Sequence, residues 1–111
     1  MELLVCVINK PKLLEDVLAG FIEVGVSGCT VIDSKGMGTI IANEVPIFSG
    51  FKNLFNGVRE SNYTVFSVIQ DTKTLEDAIK IVKEIFSGME EHDAGIFFTL
   101  PVTHYYDPKP Q

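Results

Sequence analysis

Apolar residues run unbroken from Leu3 to Ile8 and stop at Asn9-Lys10-Pro11. That pattern predicts a strand followed by a helix with proline at its first position. From Pro11 the apolar positions Leu14, Val17, Leu18, Phe21 and Ile22 recur at helical spacing, while Glu15, Asp16 and Glu23 fall on other faces. Gly25 suits the end of this helix, and Gly20 inside it predicts a close approach to the sheet. A second strand is expected over Gly28 to Ser34 and a third over "YTVFSVIQD". Thr74 to Asp77 reads as a capping box ahead of a second helix, whose stripe is Leu75, Ala78, Ile79, Val82, Ile85 and Phe86. Gly88 closes that helix, and "GIFFTLPVTHYY" supplies a last strand before the proline-rich "DPKPQ".

The order βαββαβ predicts an α+β, ferredoxin-like fold: a four-stranded antiparallel sheet with both helices on one face. Such a sheet leaves its second face to water, and its strands then alternate apolar with polar residues. These strands do not alternate. Leu3, Val5 and Val7 point one way and Leu4, Cys6 and Ile8 the other, and Ile96, Phe98 and Leu100 oppose Phe97, Thr99 and Pro101. Two helices cover one face, so association with further copies of the chain is expected to cover the other.

Length and composition narrow the partners. The chain of 111 residues is expected to form one domain, residues 1–111, with 46% hydrophobic and 22% charged residues as in ordinary globular proteins. Its net charge is −6, with Arg59 the single arginine, and no dense basic face is available for nucleic acid or for anionic lipid. "LLVCVIN" is too short to span a bilayer and lacks a basic leader. A cytoplasmic protein without membrane insertion is therefore expected. Cys6 and Cys29 lack CxxC spacing and read as buried structural thiols.

Between the second and third strands lies a long excursion from Lys35 to Asn62, rich in glycine, in which "FKNLF" suggests one helical turn. Loops of this length inside small domains are usually functional. It opens on Lys35-Gly36-Met37-Gly38, where two residues without Cβ allow main-chain amides to form an anion-binding nest beside one cation. A tight turn is the alternative reading of the same glycines. Phe48, Phe51 and Phe55, spaced by three and four, suggest either a small packed cluster or an anchor for a partner.

In this order, "KP" after strand one, "EVGVSGCTVIDSKGMG" around strand two, the long loop and "SG" closing the second helix resemble the PII family of nitrogen-regulatory signal proteins. The resemblance spans residues 1 to 103. It implies a homotrimer, a nucleotide in clefts between subunits, and a T-loop, here residues 36–60, that reaches into a regulated partner protein. It places Ile8, Gly28, Thr30, Lys35, Gly36 and Gly38 at the ligand cleft or at the root of the T-loop. The implied role is a regulator, not an enzyme, that binds a small effector such as ATP, ADP or another adenine nucleotide and acts in nitrogen or related metabolism.

The rest of the implied site departs from the family. Met89, Glu90, Glu91, His92 and Asp93 stand where typical members carry a glycine- and lysine-rich phosphate loop, and three carboxylates there repel a triphosphate. In the tail, residues 104–111, Tyr105, Tyr106, Asp107 and Pro108 replace the family's paired arginines. Phe51 lies near the position of the modifiable tyrosine, so uridylylation is not expected. The alternative is a CutA-like metal-binding trimer using His92, His104 and the acidic loop. Against it, consecutive residues rarely converge on one ion, so the solvated loop is preferred and no metal site is assigned. Neither histidine has an evident nucleophile and orienting acid, so no catalytic residue is expected.

Overall fold

The computed structural model describes residues 1–43, 62–88 and 93–109. Four strands, β1 (Glu2–Ile8), β2 (Thr30–Ser34), β3 (Asn62–Ile69) and β4 (Gly95–Pro101), form one antiparallel sheet in the order β2-β3-β1-β4. The helices α1 (Pro11–Val24) and α3 (Thr72–Ser87) pack on each other and on one sheet face. The expected α+β, ferredoxin-like order is therefore present. A short helix, α2 (Met37–Asn43), stands at the start of the long excursion. It was not expected from the glycines, but once the Gly36 carbonyl accepts the Ile40 amide the following residues continue as a helical turn. "FKNLF" lies outside the described residues.

The core is built from one side chain in two. Leu4, Cys6 and Ile8 from β1 and Val65 and Ile69 from β3 are buried against Leu13, Val17 and Phe21 of α1 and Leu75, Ala78 and Val82 of α3. The buried stripe of α1 runs one position earlier than its spacing suggested. Leu13 is buried where Leu14 is half-buried, and Ile22 is 77% exposed. An apolar run too wide for one face leaves the choice of face to the neighbour. Gly20 shows which neighbour decides: a Cβ there would lie 2.7 Å from Ile81 Cγ2 of α3, so the close approach is helix to helix, not helix to sheet.

Helix ends follow local chemistry. Gly25 ends α1 with φ 93°, and the Gly25 and Val26 amides reach back to the Ile22 and Phe21 carbonyls. At α3 the cap is Asp71, not Thr74: its carboxylate accepts the Thr74 amide and hydroxyl, both at 2.9 Å. These bonds to the charged form, the backbone one first, hold the Asp71 carboxyl below its ordinary pKa. The stabilisation is therefore complete above the carboxylate's unfolded value and disappears as pH falls through the folded one. Asp71→Ala should lower the melting temperature at pH 7, and the difference from wild type should vanish in melts at the acid end of the range; Asp71→Asn should remain close to wild type throughout.

Gly95 begins β4 with φ 152°, and a Cβ there would stand 2.1 Å from the Val7 carbonyl oxygen. Because that neighbour is backbone in β1, a strand paired on both sides, it cannot rotate away. Gly95→Ala should destabilise the fold by about 1–3 kcal/mol in denaturant titrations, and exchange of amides where β1 meets β4 should accelerate.

Candidate functional site

The other face of the sheet carries rows of apolar side chains with no element above them among the described residues. Register sets Thr30, Phe66, Val5 and Phe98 side by side, then Ile32, Thr64, Val7 and Ile96, and places Leu3 between Val68 and Leu100. On the edge strand β4, Ile96 is 61% exposed, Phe98 43% and Leu100 48%. The expected second apolar face is present, with Thr30 and Thr64 as polar positions in its rows.

The site residues expected from sequence follow the other edge strand. Thr30 opens β2, and Gly28 stands two residues before it, where its carbonyl accepts the hydroxyl of the buried Ser67. That bond fixes the approach to β2 beyond its ladder. Lys35 follows the far end of β2 and is exposed, and Gly36 and Gly38 lead into α2. Five strand steps separate Thr30 from Lys35, roughly 16 Å, so one chain presents the two groups at opposite ends of an edge. Ile8 lies near the Lys35 end, in the row of Tyr63 and Gly95. Its side chain is wholly buried in the core, which leaves the main chain as what it can offer a ligand.

At Lys35-Gly36-Met37-Gly38 the backbone does not take the left-handed form of an anion-binding nest. Such a nest needs backbone that alternates into the left-handed region, and among the described residues positive φ occurs at Gly25 and Gly95 alone. A Cβ at Gly36 would meet the Asn62 side-chain nitrogen at 3.9 Å, an ordinary contact, so packing does not require glycine there.

A polar cluster that the sequence reading did not single out holds this end of the sheet. Ser34 Oγ donates to Asn62 Oδ1 and lies 2.9 Å from Thr64 Oγ1. Asn62 Nδ2 donates to Asn9 Oδ1 at 3.4 Å, and Asn9 Nδ2 donates to the Asp93 carbonyl at 3.1 Å. Lys10 Nζ lies 3.8 Å from Asp93 Oδ1. The signal was available: Ser34, Asn62 and Thr64 are polar positions on the apolar open face, all at one end.

At the opposite end of β2, a shallow hollow of about 210 Å³ is lined by Gly28, Cys29, Thr30, Phe66 and Tyr105. Beside it, a cavity of about 600 Å³ lies between Gly25–Ser27, the end of β3, the first turn of α3 and Tyr105–Asp107. The tail thus returns to the expected ligand residues of its own chain. Within it, Tyr105 Oη lies 3.4 Å from Asp107 Oδ2, and Asp107 Oδ1 accepts the Lys109 amide at 2.9 Å. Among the described residues no three His, Cys, Asp or Glu side chains stand close enough to hold one metal ion. His104 is exposed, with Nδ1 3.3 Å from Thr103 Oγ1. Phe48, Phe51, Phe55, Glu90, Glu91 and His92 lie outside the described residues.

Of the two thiols expected to be buried, Cys6 is and Cys29 is not. Cys6 is buried, and loss of hydration pushes its pKa up to about 12. Cys29 is exposed just before β2, and the lesser burial of its sulfur raises its pKa as well. An edge strand without a covering helix leaves one side of Cys29 open.

The chain matches the family described as Nitrogen regulatory protein P-II over residues 1–109 and belongs to that family. Members are regulatory signal-transduction proteins rather than enzymes, and the family is generally homotrimeric and binds partner proteins. A search of curated proteins finds no significant match. No helix among the described residues is long and apolar enough to cross a membrane.

Thiol titration checks the contrast between the cysteines. At pH 8 the folded chain should consume one equivalent of a small alkylating reagent, at Cys29 by peptide mapping, and a second only after denaturation.

Proposed function

We propose that this chain is a cytoplasmic homotrimeric regulator that binds a small effector in clefts between subunits and signals through residues 36–60 to a partner protein. The observation that carries the reading is the uncovered apolar face, flanked by an edge strand with Gly28 and Thr30 at one end and Lys35, Gly36 and Gly38 at the other. Fully burying one large aliphatic or aromatic side chain is favourable by about 1.5–3 kcal/mol. Ile96, Phe98 and Leu100 alone therefore make association of copies through this face favourable. A neighbouring copy would also give the edge strand a second wall and join the separated ends of the site into a cleft.

In this reading the effector is an adenine nucleotide or a related small anion, and the output lies in nitrogen or related metabolism. Ile8 contributes main chain, Gly28 and Thr30 meet the apolar part of the ligand, and Lys35 with the amides after Gly36 meets its charge. Phe48, Phe51 and Phe55 act as partner anchors on the loop. With Asp33 two residues before Lys35 and a net charge of −6, ligands with fewer phosphates are favoured over ATP unless a divalent ion accompanies them.

Two measurements test this. Light scattering at micromolar concentration should give three times the chain mass of 12.3 kDa, and Phe98→Asp should give single chains, because a buried unpaired charge opposes association. Calorimetric titration with ATP, ADP and AMP, with and without Mg²⁺, should show binding that Lys35→Ala weakens about tenfold, near the 1.4 kcal/mol of one charge-assisted contact. A stable single chain that binds no nucleotide would overturn the reading.

A further inference from the structure

We propose that Asn9 is a positioning residue that couples the root of the 35–61 excursion to the turn entering β4, so that loosening one loosens the other. Its amide is used from both ends. Oδ1 accepts from Asn62 Nδ2, Nδ2 donates to the Asp93 carbonyl, and its main-chain amide donates to the Ala94 carbonyl at 2.9 Å. The side-chain bonds span 53 and 84 residues of sequence, and Asn62 passes the connection on to Ser34, the last residue of β2. One continuous polar path thus joins the end of β2, the start of β3, the turn after β1 and the turn before β4.

The chemistry of the path explains why asparagine serves here. A carboxylate would keep the acceptor and lose the donor, alanine would lose both, and glutamine would be one methylene too long for both bonds. The links to Asn62 and Ser34 are partly buried, where water competes poorly and each bond polarises the next. The two ends matter because one adjoins the long loop starting at Lys35, which the sequence marks as functional, and the other the acidic stretch ending at Asp93, which stands where typical family members carry a phosphate loop. The coupling is a property of the ligand-free chain. It rests on the proposed signalling role only for what the loop's movement would accomplish.

Hydrogen exchange on the intact protein, without added ligand, tests the coupling. Asp93→Gly frees the turn and removes the Lys10 pair, and it should accelerate exchange of the amides of residues 35–39 by about threefold or more in the wild-type background. In the Asn9→Ala background the same change should add less than about twofold there. Asn9→Asp, which keeps only the acceptor, should behave as Asn9→Ala does, and if Asn9→Ala does not fold, Asn62→Ala breaks the path at its next link. Equal effects of Asp93→Gly in both backgrounds, or no effect on residues 35–39 in either, would overturn the proposal whether or not any nucleotide binds.

Discussion

A sheet has two faces, and this chain has helices for one. That inequality governs most of what the molecule presents. α1 and α3 bury Leu4, Cys6, Ile8, Val65 and Ile69 on their side, while Leu3, Val5, Val7, Phe66, Val68 and the alternating residues of β4 form an apolar surface on the other. A polar open face would make the single chain self-sufficient and its edge strand an ordinary solvent edge. Because the face is apolar, in the proposed homotrimer covering it and completing the groove along β2 would be one event, linking binding to assembly through the same residues.

The polar groups sit where this constraint leaves room for them. Along the open face, Ser34, Asn62 and Thr64 gather at the end of β2 and the start of β3, next to Asn9 and Asp93. The middle rows are left to Val5, Phe66 and Phe98. Polar bonds exchange partners at less cost than a packed interior rearranges, so the end where the long excursion leaves the sheet is the one chemically suited to rearrangement.

Much of the fold was legible in sequence because periodicity reports local geometry. The order of strands and long helices, the glycine that ends α1 and the two-sided apolarity of β1 and β4 all follow from spacing. What depended on tertiary neighbours was not legible. Leu13 rather than Leu14 turns inward because α3 lies where it does; Gly20 is small because Ile81 faces it. Asp71 displaces Thr74 as the cap because the chain leaves β3 with extended backbone at that residue. For the site, Gly28, Thr30 and Lys35 were named by resemblance and lie on one edge. Tyr105, which borders the same hollow as Gly28 and Thr30, and Asn9 were missed, because contacts across the whole chain leave no local pattern.

One of the two central strands is made before either of its neighbours. β1 hydrogen-bonds to β3 on one side and to β4 on the other, so Glu2–Ile8 has no strand neighbour until Asn62–Ile69 has emerged and no complete sheet until Pro101 has. Such end-to-end pairing makes a slow-forming topology, and during synthesis it leaves a greasy heptapeptide waiting in the open. The shielding of that nascent segment, more than the stability of the finished domain, is where a demand on cellular folding factors would fall.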